Sequence, residues 1–208
     1  MLVKKNLEEF NQVLGSNAPA PGGGSVSALS GALGAELLSM VCNLSLGKSG
    51  LEEWQSQLTD TLNRSQALAV GLLKRVDLDT EAFNGVMAAF KMSKGTDEEK
   101  KARSAAILAG YMEAVESPLG IAGECLEVLD LADRLIGRFN PNAMSDFGVA
   151  ALEALAGLEG AVMNVRINLP SIKDEKFVAE TRARVAGLVR DGRALKDKVY
   201  DYVQENLG

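Results

Sequence analysis

The amino-acid sequence predicts an all-α protein, a single-domain bundle of long helices over residues 1–208. Two observations lead to this prediction. Apolar residues recur at steps of three and four along almost the whole chain, as at Phe147, Ala151, Ala154 and Leu158, and this spacing lines one face of an α-helix. No run of strand length alternates between apolar and polar residues. With 47% apolar residues, the chain can bury a sizeable core.

The helical pattern falls into seven segments, near residues 3–15, 24–47, 51–75, 78–93, 97–137, 143–168 and 173–206. In the fifth segment Pro118 follows a long helical run, and we expect a kink or a break there because proline removes a helical hydrogen bond. The last segment carries many Lys, Arg and Asp residues between its apolar positions, which is typical of a half-exposed helix.

Charge and residue usage argue against several classes of function. The net charge of -6 disfavours nucleic-acid binding, which requires a basic surface. The chain contains no histidine, so Asp, Glu, Lys, Tyr or water must carry any proton transfer. No spacing typical of metal ligands is present. The two cysteines, Cys42 and Cys125, lie far apart among apolar residues, and we interpret them as reduced thiols in a cytoplasmic protein.

The second helical segment has two possible interpretations, a membrane span or a buried helix. Glu36 is the only charged residue between Gly22 and Gly47. Gly and Ser are frequent in this segment and basic residues at its ends are few, so a buried central helix is the better interpretation. The N-terminal stretch "MLVKKNLEEF" has no apolar run of the signal-peptide kind. We therefore expect no membrane association.

The same segment begins with an unusual run of small residues, "APAPGGGSVSALSGALGAELLSM". The glycines Gly22, Gly23 and Gly24 can adopt positive φ and present successive N–H groups, which at a helix N-terminus form a cradle for an anion or a carbonyl group. A tight turn with close helix packing explains the glycines equally well. Small residues four positions apart, such as Ser27, Gly31 and Ala35, leave the following helix with nearly bare faces for close packing or for a ligand.

Polar residues that could do chemistry occur in two further places. Asp77, Asp79 and Glu81 stand at the start of the fourth segment, where acids in a first helical turn are ordinary. The sixth segment has polar residues at both of its ends, where capping is again the ordinary explanation. These residues are Asn140, Asn142, Ser145, Asp146, Asn164 and Asn168.

Taken together, five stretches of the sequence resemble the formiminotetrahydrofolate cyclodeaminase family, which includes stand-alone bacterial methenyltetrahydrofolate cyclohydrolases. The resemblance runs from about Phe10 to about Lys176. It rests on "PAPGGGSVSALSGALGAELLSMV", "GK", "DTEAFNGVMAAFK", "NPNAMSDFGVA" and "GAVMNVRINLPSIKD", which occur in the family's order.

This resemblance implies an all-helical homodimer that acts on one-carbon tetrahydrofolates without a cofactor or a metal. By match to the family's aspartate motif, Asp79 is the candidate catalytic residue. Lys48 and Lys91 are candidates to meet the glutamate tail of the folate or to tune the carboxylate. The remaining candidate substrate-binding residues are Gly22, Gly23, Gly24, Ser25, Asn142, Ser145, Asp146 and Asn164.

Three functions remain open at the level of the sequence. The first is a cyclodeaminase, which converts 5-formiminotetrahydrofolate to 5,10-methenyltetrahydrofolate and ammonia. The second is a cyclohydrolase, which opens 5,10-methenyltetrahydrofolate to 10-formyltetrahydrofolate. The third is a non-catalytic folate-binding or dimeric interaction module, because Lys48 is followed by Ser49, Gly50 and Leu51 where the family often has a further lysine and a tyrosine.

Overall fold

The computed structural model describes residues 1–207, and α-helices account for most of that range. The α-helices are α1 (Leu7–Leu14), α2 (Gly23–Ser45), α3 (Gln55–Lys91), α4 (Asp97–Arg134), α5 (Met144–Asn168) and α6 (Glu175–Asn206). Short 3-10 helices span Leu2–Lys4, Glu52–Trp54, Pro141–Ala143 and Leu169–Ser171. Residues 1–207 contain no β-strand, so the predicted all-α class is confirmed.

The predicted boundary between residues 75 and 78 is wrong, because α3 continues unbroken from Gln55 to Lys91. Asp77 and Asp79 therefore lie in a helix interior and do not cap a first turn. Their carboxylates have distant partners instead: Leu2 N–H donates to Asp77, and Asp79 faces Ser25. The predicted segment 3–15 is also divided, into a 3-10 turn and α1.

Of the kink or break predicted at Pro118, the break does not occur, since α4 is continuous from Asp97 to Arg134. Proline lacks an N–H group, so it cannot donate to the carbonyl of Ala114 four residues earlier. The Nδ2 group of Asn168 donates to that carbonyl at 3.0 Å. A side chain from α5 thus provides the hydrogen bond that Pro118 removes from α4.

Helix α2 lies at the centre of the bundle, packed against α3 and α5, while α6 covers α4 and α5. The small residues of α2 permit this arrangement, as predicted. A Cβ atom at Gly34 would lie 2.8 Å from the backbone oxygen of Ala150, and one at Gly157 would lie 2.7 Å from the backbone oxygen of Ser27. This close packing of the α2 and α5 backbones sets the position of the α2 N-terminus relative to the neighbouring helices.

Two helical segments are long and apolar enough to pass a composition test for membrane spans, Gly23–Ser45 and Pro141–Ser171. In these segments 61% and 50% of the most apolar window is buried inside the bundle, and core helices of soluble proteins pass the same test. Cys42 and Cys125 are free, buried thiols, and burial raises the pKa of each to about 12. They contribute to packing as small apolar side chains.

Candidate active site

A cavity of about 280 Å³ opens where the N-terminus of α2 meets the second half of α3, the middle of α4 and the C-terminal end of α5. The loop before α2 closes one side with Pro19 and Ala20. The predicted site residues Gly22, Gly23, Gly24, Asp79 and Asn164 line this cavity. Residues separated by more than a hundred positions in the sequence therefore share one pocket.

The carboxylate of Asp79 lies against the first turn of α2. A Cβ atom at Gly24 would overlap this carboxylate, so any side chain there would displace Asp79. Ser25 Oγ donates to the Val76 carbonyl at 2.8 Å and lies 3.4 Å from Asp79 Oδ2. The Ser25 hydroxyl and backbone N–H both favour the charged form of Asp79. Asp79 is thereby fixed at the positive end of the α2 dipole.

Burial raises the pKa of Asp79 above its ordinary value, and the adjacent Ser25 hydroxyl and backbone N–H oppose this rise. Desolvation penalises the charged form, whereas donors to the carboxylate favour it. The net shift is upward. A carboxyl group with a raised pKa exchanges protons more readily near neutral pH than an exposed aspartate does.

The glycines preceding α2 act through close approach and not through positive φ. Gly22 is extended, with φ of -128°, and positive φ occurs in residues 1–207 at Gly47, Gly50 and Gly137. Of the two explanations that the sequence leaves open for these glycines, close packing therefore applies and positive φ does not. A Cβ atom at Gly23 would lie 3.2 Å from Asn164 Nδ2. The absence of side chains brings both Asp79 and Asn164 against this backbone.

The opposite wall of the cavity is mainly apolar. On α3 it includes Phe83, Met87 and Phe90, and on α4 it includes Tyr111, whose ring packs edge-on against that of Phe90 with centroids 6.2 Å apart. Aromatic and aliphatic faces of this kind suit a flat heterocycle. Phe83 and Phe90 were visible as an apolar pattern on α3, whereas nothing in the sequence pointed to Tyr111.

Other predicted site residues lie elsewhere in the same chain. Lys48 follows the C-terminal end of α2. That end lies roughly 33 Å from Gly23 along the helix axis, at 1.5 Å per residue. Asn142, Ser145 and Asp146 lie at the start of α5, at that same distant end of the bundle. Lys91 is the exposed last residue of α3, next to the cavity residue Phe90 but not part of the lining.

The cavity can hold a cation or a proton-donating ligand next to Asp79. No charged residue other than Asp79 is among the described residues that line it. No group of three or more Cys, Asp or Glu side chains that could hold a metal ion occurs within residues 1–207. The chemistry that this arrangement offers is proton transfer and charge stabilisation by one positioned carboxylate.

The sequence is similar to those of several known proteins. A family model described as "Formiminotransferase-cyclodeaminase" matches residues 6–187. A methenyltetrahydrofolate cyclohydrolase of Methylorubrum extorquens is 40% identical over 207 residues, which cover 100% of both chains. A formimidoyltransferase-cyclodeaminase of Sus scrofa is 33% identical over 203 residues, which cover 98% of this chain and 38% of the pig protein.

Among solved structures, the crystal structure of a formiminotetrahydrofolate cyclodeaminase from Thermotoga maritima aligns with a TM-score of 0.89 over 100% of both chains. Its sequence identity to this chain is 24%, so the match concerns the fold. The chain thus spans the whole length of the Methylorubrum relative and little more than a third of the pig relative.

Proposed function

The chain belongs to the formiminotransferase-cyclodeaminase family, and from this premise we propose that it is an enzyme of one-carbon tetrahydrofolates. The cavity at the N-terminus of α2 binds the folate, and the reaction takes place at the carbon between N5 and N10. The observation that carries this proposal is the Asp79 carboxylate, which is held by Ser25, has a raised pKa and faces an aromatic wall.

Both reactions named for the relatives pass through a tetrahedral carbon between two nitrogens. In hydrolysis, water attacks the methenyl carbon and gives one proton to Asp79. The bond from the carbon to N5 then breaks as the new hydroxyl loses its proton and N5 takes one up, which leaves a formyl group on N10. In cyclodeamination, N10 attacks the formimino carbon, the imino nitrogen takes up the N10 proton and one further proton, and ammonia departs. The ionised carboxylate stabilises the cationic amidinium in each case.

Hydrolysis of 5,10-methenyltetrahydrofolate is the activity that the full-length similarity to the Methylorubrum cyclohydrolase favours. Cyclodeamination of 5-formiminotetrahydrofolate, the first expectation from the sequence, is supported by the pig, rat, mouse and chicken relatives. The two reactions require the same carboxylate and the same cavity, so a direct assay must separate them.

The test supplies each folate separately and follows the absorbance of the methenyl form. Loss of absorbance from 5,10-methenyltetrahydrofolate faster than in buffer alone identifies a cyclohydrolase, and a gain from 5-formiminotetrahydrofolate identifies a cyclodeaminase. The Asp79→Asn variant, prepared in parallel, controls for contaminating enzyme. Tight folate binding without either change would support the non-catalytic module, and neither binding nor turnover would contradict the proposal.

The same proposal includes a homodimer without a cofactor or a metal, located in the cytoplasm. Exposed apolar side chains follow one face of α2 at Leu33, Met40 and Leu44, and α5 adds Val149 and Met163. Exposed apolar side chains on two packed neighbouring helices favour burial against a second copy, and two-fold dimers are the most frequent oligomers.

Light scattering tests the dimer. We expect a mass of twice 22.0 kDa for the wild type and half of that for Leu33→Glu. Val70→Glu, which changes a side chain of similar exposure on α3, serves as the matched control and keeps the dimer. A stable wild-type monomer at micromolar concentration would contradict this part of the proposal.

A further inference from the structure

Asn168 connects two walls of the cavity through its side-chain amide. Its Nδ2 group donates to the Ala114 carbonyl on α4 at 3.0 Å and to the Asn164 carbonyl on α5 at 2.9 Å. Both Ala114 and Asn164 line the cavity, as does Asn168 itself. The two N–H groups of one amide are thus both used on backbone oxygens of the pocket wall.

The carbonyl of Ala114 accepts this bond because Pro118, four residues later, has no N–H group to donate. In an uninterrupted helix the carbonyl would be occupied by its own helix. Pro118 and Asn168 therefore function as a pair: the proline leaves an acceptor on α4, and the asparagine uses it to attach the last turn of α5. Ala114 is partly buried, so leaving its carbonyl unpaired would cost free energy.

The neighbouring amide of Asn164 is oriented in the same way. Its Nδ2 group donates to the Gly160 carbonyl at 2.9 Å and packs against the backbone of Gly23. No protein donor in residues 1–207 reaches the Oδ1 atom of Asn164 or of Asn168. Asn168 donates both of its amide N–H groups to backbone carbonyls and Asn164 donates one, so the two Oδ1 atoms stay available to accept from a ligand. The Asp79 carboxylate adds further acceptor atoms to the same cavity.

We propose that Asn168 is a positioning residue of this cavity, which holds the α5 wall against α4 so that the Asn164 and Asn168 oxygens accept hydrogen bonds from the N–H edge of a flat heterocycle. The inference rests on the proposed function, because the pterin ring of a tetrahydrofolate carries such an edge, with amino and ring N–H groups. Asn168 acts on substrate affinity and orientation, and Asp79 acts on the reacting carbon.

The test compares Asn168→Ala, Pro118→Ala and the double variant with the wild type. Alanine at 118 supplies an N–H group to the Ala114 carbonyl from within α4, so it satisfies that carbonyl without attaching α5. Asn11→Ala is the matched control, because it removes an amide that also donates to a carbonyl four residues earlier, at 2.8 Å on exposed α1. Each variant is measured for its Tm, for KM and kcat, and for calorimetric binding of 5-formyltetrahydrofolate.

Asn168→Ala is expected to lower Tm and to weaken folate binding and raise KM about tenfold, the size of one lost hydrogen bond, with kcat changed much less. In the double variant Tm recovers and KM stays high, because the bond between α4 and α5 is still absent. If KM recovered together with Tm in the double variant, Asn168 would have only a structural role and the inference would be overturned. An unchanged KM in Asn168→Ala would overturn it as well.

Folate binding by the wild type distinguishes a failure of the proposed function from a failure of the proposed role of Asn168. If the wild type does not bind 5-formyltetrahydrofolate and turns over neither folate substrate, the proposed function fails. If the wild type binds it and Asn168→Ala binds it equally well, the proposed function stands and the role of Asn168 fails.

Discussion

The two ends of the bundle carry similar polar residues but use them differently. At the N-terminal end of α2, the Asp79 carboxylate and two asparagine amides face a cavity. At the C-terminal end of α2, polar groups bind one another: Asn140 N–H donates to Ser45 Oγ at 2.8 Å, and Asn140 Nδ2 donates to the Leu44 carbonyl at 3.0 Å. The second set joins the start of α5 to the end of α2.

The difference between the two ends lies in how Asn140 and Asp79 use their side chains. Asn140 uses its whole amide within the fold, since its Oδ1 also accepts from Asn142 N–H at 3.1 Å. Asp79 has a single donor residue, Ser25, and keeps acceptor capacity toward the cavity. Substitutions at the two ends should therefore affect different properties.

The largest expected effect comes from exchanging one aspartate at each end for asparagine. Asp79→Asn removes the proton acceptor and the negative charge beside the reacting carbon, so kcat should fall by about 10²–10⁴ while the fold is retained. Asp146→Asn, in the first turn of α5, should leave kcat within about twofold, because its carboxylate lies far from the cavity. Steady-state kinetics with the preferred folate would measure both.

Near wild-type turnover by Asp79→Asn would transfer the catalytic role to another carboxylate, with Asp77, two residues earlier on α3, as the next candidate. A large loss in Asp146→Asn with a normal circular-dichroism spectrum would mean that the distant end of the bundle also participates, through a second copy of the chain.

A smaller but still strong effect is expected at the glycines of the first α2 turn. Alanine at Gly24 would overlap the Asp79 carboxylate and displace it, so activity should fall at least about tenfold, the loss expected from misplacing a catalytic group. Alanine at Gly22 meets no atom within 4 Å, and its φ of -128° suits any residue. Equal activity losses in Gly22→Ala and Gly24→Ala would contradict a specific requirement for space at Asp79.

At the opposite end, Ser45→Ala should reduce stability without reducing activity. Ser45 is fully buried, and its removal leaves the Asn140 N–H group without its partner. An unsatisfied buried donor costs about 1–3 kcal/mol, and 1 kcal/mol corresponds to about 2–4 °C in Tm for a protein of this size. Differential scanning calorimetry would measure the change, and a lowered kcat at a temperature where the variant is folded would contradict it.

The sequence predicted most helices well because their signals are local. The small-residue spacing of α2 and the apolar stripe of α5 repeat every three or four residues, and both helices were placed within two residues of their observed ends. The prediction failed where a residue has its hydrogen-bond partner far away in the sequence. Leu2 and Ser25 engage Asp77 and Asp79 inside α3, and Asn168 compensates Pro118 in α4.

The candidate site was predictable only in part for the same reason. Asp79 was identified by resemblance to a family motif, and the glycines by their composition. Their direct contact was not predictable, because 55 positions separate Gly24 from Asp79 and only the packing of α2 on α3 brings them together. Lys48 and Asn142 looked equally suitable in sequence, yet helix length carries them to the other end of the bundle.

The smallest expected effect is a pH-dependent change in stability at Asp79. Its pKa is raised by burial in the folded protein, so the folded state binds the proton more tightly than the unfolded chain does. The contribution of this group to stability is therefore complete below the unfolded pKa of about 3.9 and is lost as pH rises through the folded pKa.

Asparagine does not titrate and keeps an oxygen to accept from Ser25. Asp79→Asn should consequently have a higher Tm than the wild type at neutral pH, and the difference should shrink as the pH is lowered toward 4. A Tm difference that is constant with pH, or that favours the wild type at neutral pH, would show that the Ser25 hydrogen bonds outweigh desolvation at this carboxylate.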